Sequence, residues 1–179
     1  MQFAKDSFFI ALRDRLAIVN PARTIVLDGQ SRPAIVTLEN EPVTAADPGA
    51  LVDPQTLETL DRPRVANAFY LTWGGARVVA QTGAAPVMAL DCTIAFVVRG
   101  DENGAGQERG RRFGELSQEL LQMLSPASTP KIDYTSVPAT ALATQVFWTA
   151  PRFSPPQPVA AELRGSAALT LFFWPEATS

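Results

Sequence analysis

The chain has 179 residues, of which 46% are apolar and 18% are charged, and its formal net charge is −3. This length predicts one domain over residues 1–179 with a sizeable buried core, and the composition excludes a chain that is disordered throughout. The sequence has no Lys- or Arg-rich run of the kind that gives a nucleic-acid binder its positive surface, so we expect no nucleic-acid partner.

Two residue types that are common in catalytic and metal sites are scarce. The sequence contains no histidine and a single cysteine, Cys92. These counts exclude a Ser-His-Asp or Cys-His relay, a disulfide within the chain and a zinc site built from His or several Cys. An enzyme with this composition could still catalyse a reaction with carboxylates, Lys, Tyr or a metal held by oxygen ligands.

Residues 1–15 carry charged side chains among the apolar ones: Lys5, Asp6, Arg13, Asp14 and Arg15. This pattern leaves no uncharged core for a signal peptide, so we expect a chain that is not secreted by that route. No stretch approaches the ~20 consecutive apolar residues that a membrane span needs. We therefore expect a soluble protein without a membrane partner.

The first predicted element is an amphipathic helix over residues 5–19. Phe8, Phe9, Leu12, Leu16 and Val19 recur at three-to-four spacing. Asp6 or Ser7 is a candidate N-terminal cap. Pro21 ends the helix, because proline disfavours helical geometry in the residue before it.

Two short strands follow, at residues 24–27 and 34–38, and the polar segment 28–32 suits a hairpin loop between them. Residues 41–63 are rich in proline, which breaks any long periodicity. We interpret this stretch as a long irregular segment that is either a binding arm or a packed loop, and we favour the arm.

The centre of the chain has the clearest strand pattern. Residues 67–73 are predicted to form a strand, with Gly74-Gly75 as a turn into residues 76–80. In residues 88–99, apolar and other side chains alternate, which predicts a strand with one face on the core. The core-facing set is Leu90, Cys92, Ile94, Phe96 and Val98.

The last third begins with a polar, glycine-rich loop at residues 100–106. The apolar residues Phe113, Leu116, Leu120, Met123 and Leu124 then mark a second amphipathic helix. Residues 125–138 are interpreted as a connection rich in Pro, Ser and Thr. Strands are predicted at 144–149 and 166–174, separated by an irregular segment at 151–158 whose prolines cannot continue a central strand.

This order of elements predicts an α+β fold. We expect a mixed or antiparallel β-sheet with the two main amphipathic helices packed on one face.

Three candidate sites have simpler interpretations. Gly104 and Gly106 give only part of a dinucleotide-binding motif, since Arg109 stands where the third glycine belongs, and a connecting loop is the favoured reading. The acids and amides around residues 101–108 lack the spacing of a calcium loop. Cys92 falls mid-strand on the apolar face, which favours a buried structural thiol. We therefore predict no cofactor and no metal.

A small basic cluster stands at the head of the second helix, at Arg109, Arg111 and Arg112. The helix dipole disfavours cations at this end. These side chains therefore either extend into solvent, which is the more common case, or meet an acidic surface on a partner.

Aromatic residues crowd the last two predicted strands: Phe147, Trp148, Phe172, Phe173 and Trp174. Adjacent residues in a strand point to opposite faces, so one core cannot cover both members of a neighbouring pair. Either the second helix or a neighbouring subunit must cover the second face, and aromatic residues are enriched at subunit interfaces.

Several segments together resemble the small tail-terminator, or tail-completion, proteins of long-tailed bacteriophages and related tail-like particles. They are the helix Phe8-Phe9-Ile10-Ala11-Leu12-Arg13-Asp14-Arg15-Leu16, the strand ending Val97-Val98-Arg99-Gly100, the Arg-containing helix over residues 109–124 and the closing apolar strand. The resemblance implies a ring, usually of six subunits, that caps the tail tube, halts its polymerisation and presents a surface to head-completion proteins. It implies no catalytic residues.

We therefore expect a non-enzymatic structural protein of the virion tail, present in the host cytoplasm during assembly. Its partners would be further copies of itself, as a hexamer, together with the tail tube and head-tail joining proteins. The candidate interface residues are Arg109, Arg111, Arg112, Phe172 and Trp174. The alternatives are another neck, connector or baseplate subunit, and an enzyme that uses carboxylates with a bound metal.

Overall fold

The computed structural model describes residues 1–27, 29–37, 39, 66–82, 85–99, 107–159 and 162–175. The predictions for residues 41–63 and 100–106 lie outside the described residues. The described elements are α1 (Gln2–Val19), β1 (Thr24–Leu27), β2 (Gln30–Pro33), β3 (Ile35–Thr37), β4 (Phe69–Thr82), β5 (Ala85–Arg99), α2 (Gln107–Met123), β6 (Ser128–Asp133), β7 (Thr140–Trp148), β8 (Arg152–Phe153), β9 (Gln157–Val159) and β10 (Glu162–Phe173).

One large sheet organises the molecule, with its strands in the order β3-β4-β5-β10-β7-β6. β3 runs parallel to β4, and the other neighbouring strands pair antiparallel. β8 and β9 also pair with β10. The predicted α+β fold with a mixed sheet is confirmed.

Both helices pack on one face of this sheet, as predicted. Phe8 of α1 is fully buried, and its ring meets Trp73 and Trp148 edge-on at centroid distances of 6.1 and 5.2 Å. Leu116 and Leu120 of α2 belong to the same core. The predicted core face of β5 is also confirmed in this cluster by Leu90, Cys92, Ile94, Phe96 and Val98.

The predicted cap of α1 is wrong. The helix begins at Gln2, so Ser7 lies inside it and its hydroxyl donates to the Phe3 carbonyl at 2.6 Å. The same oxygen accepts a bond from the Ile132 N–H at 2.8 Å. Ser7 therefore joins α1 to β6, a contact between residues far apart in the sequence.

The predicted hairpin is tighter than expected. β1 pairs with β2, and Leu27 faces Gln30 across the turn. Gly29 has a φ of 76°, a left-handed conformation that suits such a tight turn. The second predicted strand instead leaves the hairpin, because residues 35–37 pair with β4 in the large sheet.

The predicted turn at Gly74-Gly75 is also wrong. β4 continues through both glycines, and the register with β5 shifts between Trp73 and Ala76, which marks a β-bulge. A Cβ on Gly74 would lie only 3.2 Å from the Asp91 Cβ. Glycine therefore permits a bulge and a close backbone approach here, as it often does within strands.

Two segments that were predicted to be irregular contain strands. Residues 128–133 form β6, inside the predicted connection at 125–138. Within the proline-rich segment at 151–158, β8 and the first part of β9 pair with β10, so that β7, β8 and β9 follow β10 as one interrupted strand. The prolines of this segment are tolerated because no described strand pairs with the outer side of β8 or β9.

Candidate assembly surfaces

The candidate interface residues lie at opposite ends of the β5–β10 ladder. This ladder runs from the pair Arg99–Glu162 to the pair Met88–Phe173. Eleven residue steps of ~3.3 Å separate its ends, a distance of about 36 Å. Phe172 and Trp174 are at the Met88 end, which we call the aromatic end, so they cannot form one compact site with the arginines of α2.

The aromatic end confirms that neighbouring aromatic residues point to opposite faces. Phe173 and Trp148 face the helices and are 1% and 4% exposed. Phe147 lies on the other face, directly across from Phe172, and keeps 42% of its surface exposed. The Phe147 ring meets the Trp174 ring edge-on at 6.5 Å. We call Phe147, Phe172 and Trp174 the aromatic patch.

Helix α2 does not cover the aromatic patch. Its buried residues, Leu116, Leu120 and Met123, belong to the core on the opposite face of the sheet. The second helix was one of two elements expected to cover the outer face of these strands, and it is therefore excluded. Coverage of the aromatic patch by a neighbouring subunit stays a prediction.

Next to the aromatic patch, β4 and β5 extend past the rest of the sheet. β3 pairs with β4 only as far as Leu71, and β10 pairs with β5 only from Met88 onward. Residues 79–82 and 85–87 therefore form a two-stranded extension, and residues 76–78, whose β5 partners also pair with β10, form its base. We call residues 76–82 and 85–87 the β4–β5 ribbon. The ribbon was not predicted from the sequence, because Gly74-Gly75 within a β-type run is typical of a turn.

The ribbon exposes apolar side chains. Val78 is 59% exposed and Val79 is 46% exposed. A two-stranded ribbon alone is marginally stable in water. Its base is held by polar contacts: the Asp91 carboxylate accepts bonds from Arg77 Nη1 at 2.6 Å and from Thr170 Oγ1 at 2.9 Å. These two bonds hold the pKa of Asp91 below its ordinary value.

Two carboxylates of the large sheet, those of Asp91 and Asp133, have structural partners. Asp91 ties the ribbon to the sheet, as described above. Asp133 accepts bonds from the N–H and the hydroxyl of Thr135, at 2.8 and 2.6 Å, which lower the pKa of the Asp133 carboxyl. The two residues lie on different strands, β5 and β6.

The opposite, basic end is formed by the start of α2 and the Arg99–Glu162 pair. Phe113, in the second turn of α2, packs on Phe96 at 5.1 Å between centroids, which fixes where this helix begins relative to the sheet. The Arg99 and Arg164 guanidinium groups both contact the Glu162 carboxylate, at 3.1 and 3.2 Å.

The three predicted arginines differ in their surroundings. Arg112 donates to Glu108 one helical turn earlier, at 2.6 Å. Arg109 is half-buried, and Arg111 is exposed. Arg111 is therefore the member of the cluster best placed to meet a partner, and an interface role for all three stays a prediction.

The remaining open face of the sheet carries a shallow polar cleft of about 290 Å³. Its lining includes Thr93 of β5, Ser166 of β10, Gln157 of β9 and Ser154, which follows β8. Ser166 Oγ donates to Ser154 Oγ across it at 3.0 Å. Sequence reasoning could not find this cleft, because its residues are brought together by strand pairing.

Cys92 lies in the core on the helix-facing side of β5. Burial raises the pKa of its thiol to about 12. Among the described residues, no group of three or more His, Cys, Asp and Glu side chains is arranged to hold a metal ion. No helix in the described part of the chain is long and apolar enough to cross a membrane.

Comparison of the sequence with known proteins identifies no relative. No protein-family model matches the chain, and no curated protein matches it.

Proposed function

We propose that this chain is a non-enzymatic structural subunit that assembles into a closed ring. By its resemblance to tail terminators, the ring caps the tail tube of a phage or phage-like particle and joins it to head-completion proteins. The observation that carries the proposal is a pair of distinct exposed apolar surfaces at the aromatic end of the sheet, the β4–β5 ribbon and the aromatic patch.

The symmetry of a ring requires each subunit to have two different contact surfaces. A closed ring of more than two identical subunits is built from heterologous contacts, in which one surface of a subunit meets a different surface of the next. The β4–β5 ribbon and the aromatic patch provide two such surfaces. Contiguous exposed apolar surface is uncommon on monomers and is typical of interaction sites.

The basic end supports a second kind of contact. Arg111, with Arg109 and Arg112 beside it, presents positive charge near the Arg99–Glu162 end of the β5–β10 ladder, away from the aromatic patch at the other end. Charged groups at an interface contribute to partner choice and association rate more than to bulk affinity. This end is therefore proposed to contact an acidic surface on the tail tube or on a head-completion protein.

The oligomeric state tests the ring. Multi-angle light scattering over a range of protein concentrations should approach the mass of six chains of 19.3 kDa, about 116 kDa. Negative-stain images should show a closed ring. A chain that stays monomeric at the highest concentration would contradict the proposal.

Capping is tested separately with polymerising tail-tube protein. Addition of the ring should stop tube growth at one end and shorten the tubes as the ring-to-tube ratio rises. An equal amount of the chain unfolded by heat is the control. An intact ring that leaves tube length unchanged would favour the alternative, another neck, connector or baseplate subunit.

A further inference from the structure

We propose that the β4–β5 ribbon of one copy packs on the aromatic patch of the neighbouring copy. This inference rests on the proposed ring assembly and names its subunit contact. The patch is Phe147, Phe172 and Trp174, and the ribbon is residues 76–82 and 85–87.

The ribbon carries apolar side chains on both of its faces. Val78 pairs with Met88, whose side chain packs on the helix-side core, so Val78 points to that side of the sheet. Ala80 pairs with Val87 on the opposite side, and Val79 is the additional residue where the register shifts. Val78 and Val79 are exposed in the single chain, so a contact at the ribbon would bury apolar surface.

Charge also favours burial of the ribbon. Arg77 is the charged side chain of the described ribbon residues, and it is paired with Asp91. Docking the ribbon therefore leaves no unpaired charge in the contact, which would be costly. The aromatic patch likewise consists of three apolar rings, so the two surfaces match in chemical character.

The geometry of the chain favours a second copy as the occupant. The ribbon is continuous with the β4–β5 ladder and projects along the strands past the end of the sheet. It cannot fold back onto Phe147 of its own chain without breaking that ladder. Every copy carries one ribbon and one patch, so each contact leaves a free ribbon at one end and a free patch at the other. Repetition of such a contact forms a ring when the rotation between neighbouring copies closes, as the proposed function requires.

Cross-linking between two different single-cysteine additions tests this contact. Val79→Cys and Phe147→Cys chains, carrying different tags, are co-expressed, purified together and oxidised with a copper catalyst. We expect a disulfide-linked pair that contains one chain of each kind. Cys92 should contribute little background cross-linking, because it is buried and its thiol has a pKa of about 12.

Three controls accompany the mixture: Val79→Cys alone, Phe147→Cys alone, and Val79→Cys with Gln118→Cys, an exposed position on α2. None should cross-link at more than about a tenth of the yield of the mixture if the contact is heterologous. Val79→Cys chains that link to each other as efficiently as the mixture would indicate a ribbon-to-ribbon contact and overturn the inference.

Light scattering of the same samples separates this inference from the ring itself. An assembled ring without the mixed cross-link would overturn the ribbon-to-patch contact and leave the ring proposal standing. Monomers in the wild-type protein would overturn both. A Val79→Asp variant provides a second measurement: it should raise the dissociation constant at least tenfold, while Gln118→Asp, at an exposed position on α2 outside the proposed contact, should leave it unchanged.

Discussion

Gly165 leaves room for two aromatic rings where α2 meets the sheet. A Cβ at this position would lie 2.7 and 2.9 Å from two atoms of the Phe113 ring, and closer still to Phe96. Overpacking of this kind usually costs ~1–3 kcal/mol. We expect Gly165→Ala to lower the free energy of unfolding by about that amount in urea denaturation.

The matched control is Gly114→Ala, in α2, where an added Cβ meets nothing within 4 Å. Alanine is the better helix former by ~1 kcal/mol, so this variant should be at least as stable as the wild type. Equal stability of the two variants would show that the sheet moves to accept the extra methyl group.

Cys92 makes stability depend on pH in the alkaline range. The unfolded thiol ionises near its ordinary value of 9.0, whereas burial keeps the folded thiol protonated up to a pKa of about 12. Between these values the unfolded state binds fewer protons, so this group makes stability fall as pH rises. The stability gap between wild type and Cys92→Ala should therefore narrow from pH 8 to pH 10.5 in urea melts.

Thiol reactivity checks the same point directly. A chromogenic disulfide reagent at pH 8 should react with Cys92 slowly in the native protein and quickly in urea. Fast reaction in the native state would contradict burial of the thiol.

At the scale of elements, Glu119 holds the end of α1 to the C-terminal half of α2. Its carboxylate accepts bonds from Asn20 Nδ2 at 2.7 Å and Arg23 Nη2 at 2.8 Å, with a further bond from Arg23 Nε. Arg23 and Glu119 are mostly buried. Removing one partner leaves a buried charge, so Glu119→Ala should lower the free energy of unfolding by about 2–4 kcal/mol.

Glu115→Ala, at an exposed position one turn earlier on α2, is the matched control and should change stability by less than ~0.5 kcal/mol. Urea denaturation of both variants makes the comparison. A similar small change in both would mean that apolar packing alone holds the two helices together.

At the scale of the whole molecule, the two ends should respond differently to salt. The Debye length falls from ~10 Å at 0.1 M to ~3 Å at 1 M, which screens exposed charges but leaves apolar contacts intact. The ring mass from light scattering should therefore stay constant over this range. Arg111→Glu should weaken capture of the tail tube or head-completion partner without changing the ring mass.

Gln118→Glu, also exposed on α2, is the control for added negative charge and should affect neither measurement. Dissociation of the ring at 1 M salt would place ionic contacts between subunits, contrary to the proposed apolar contact. A loss of ring mass in Arg111→Glu would lead to the same conclusion.

The sequence by itself determined the elements whose signals are local. Side chains alternate along residues 88–99 and recur at helical spacing in the two helices, so each pattern can be detected within a short window. The same alternation correctly separated Phe172 from Phe173. The α+β class follows from these elements in order.

Only the tertiary structure decided which strands pair and where the surfaces lie. Residues 35–37 left their hairpin for β4, Gly74-Gly75 became a bulge, and the proline-rich segment at 151–158 aligned along β10. The ribbon and the aromatic patch owe their exposure to these pairings. Strand pairing joins residues far apart in the chain, and its energy depends on packing against neighbours that no local pattern contains.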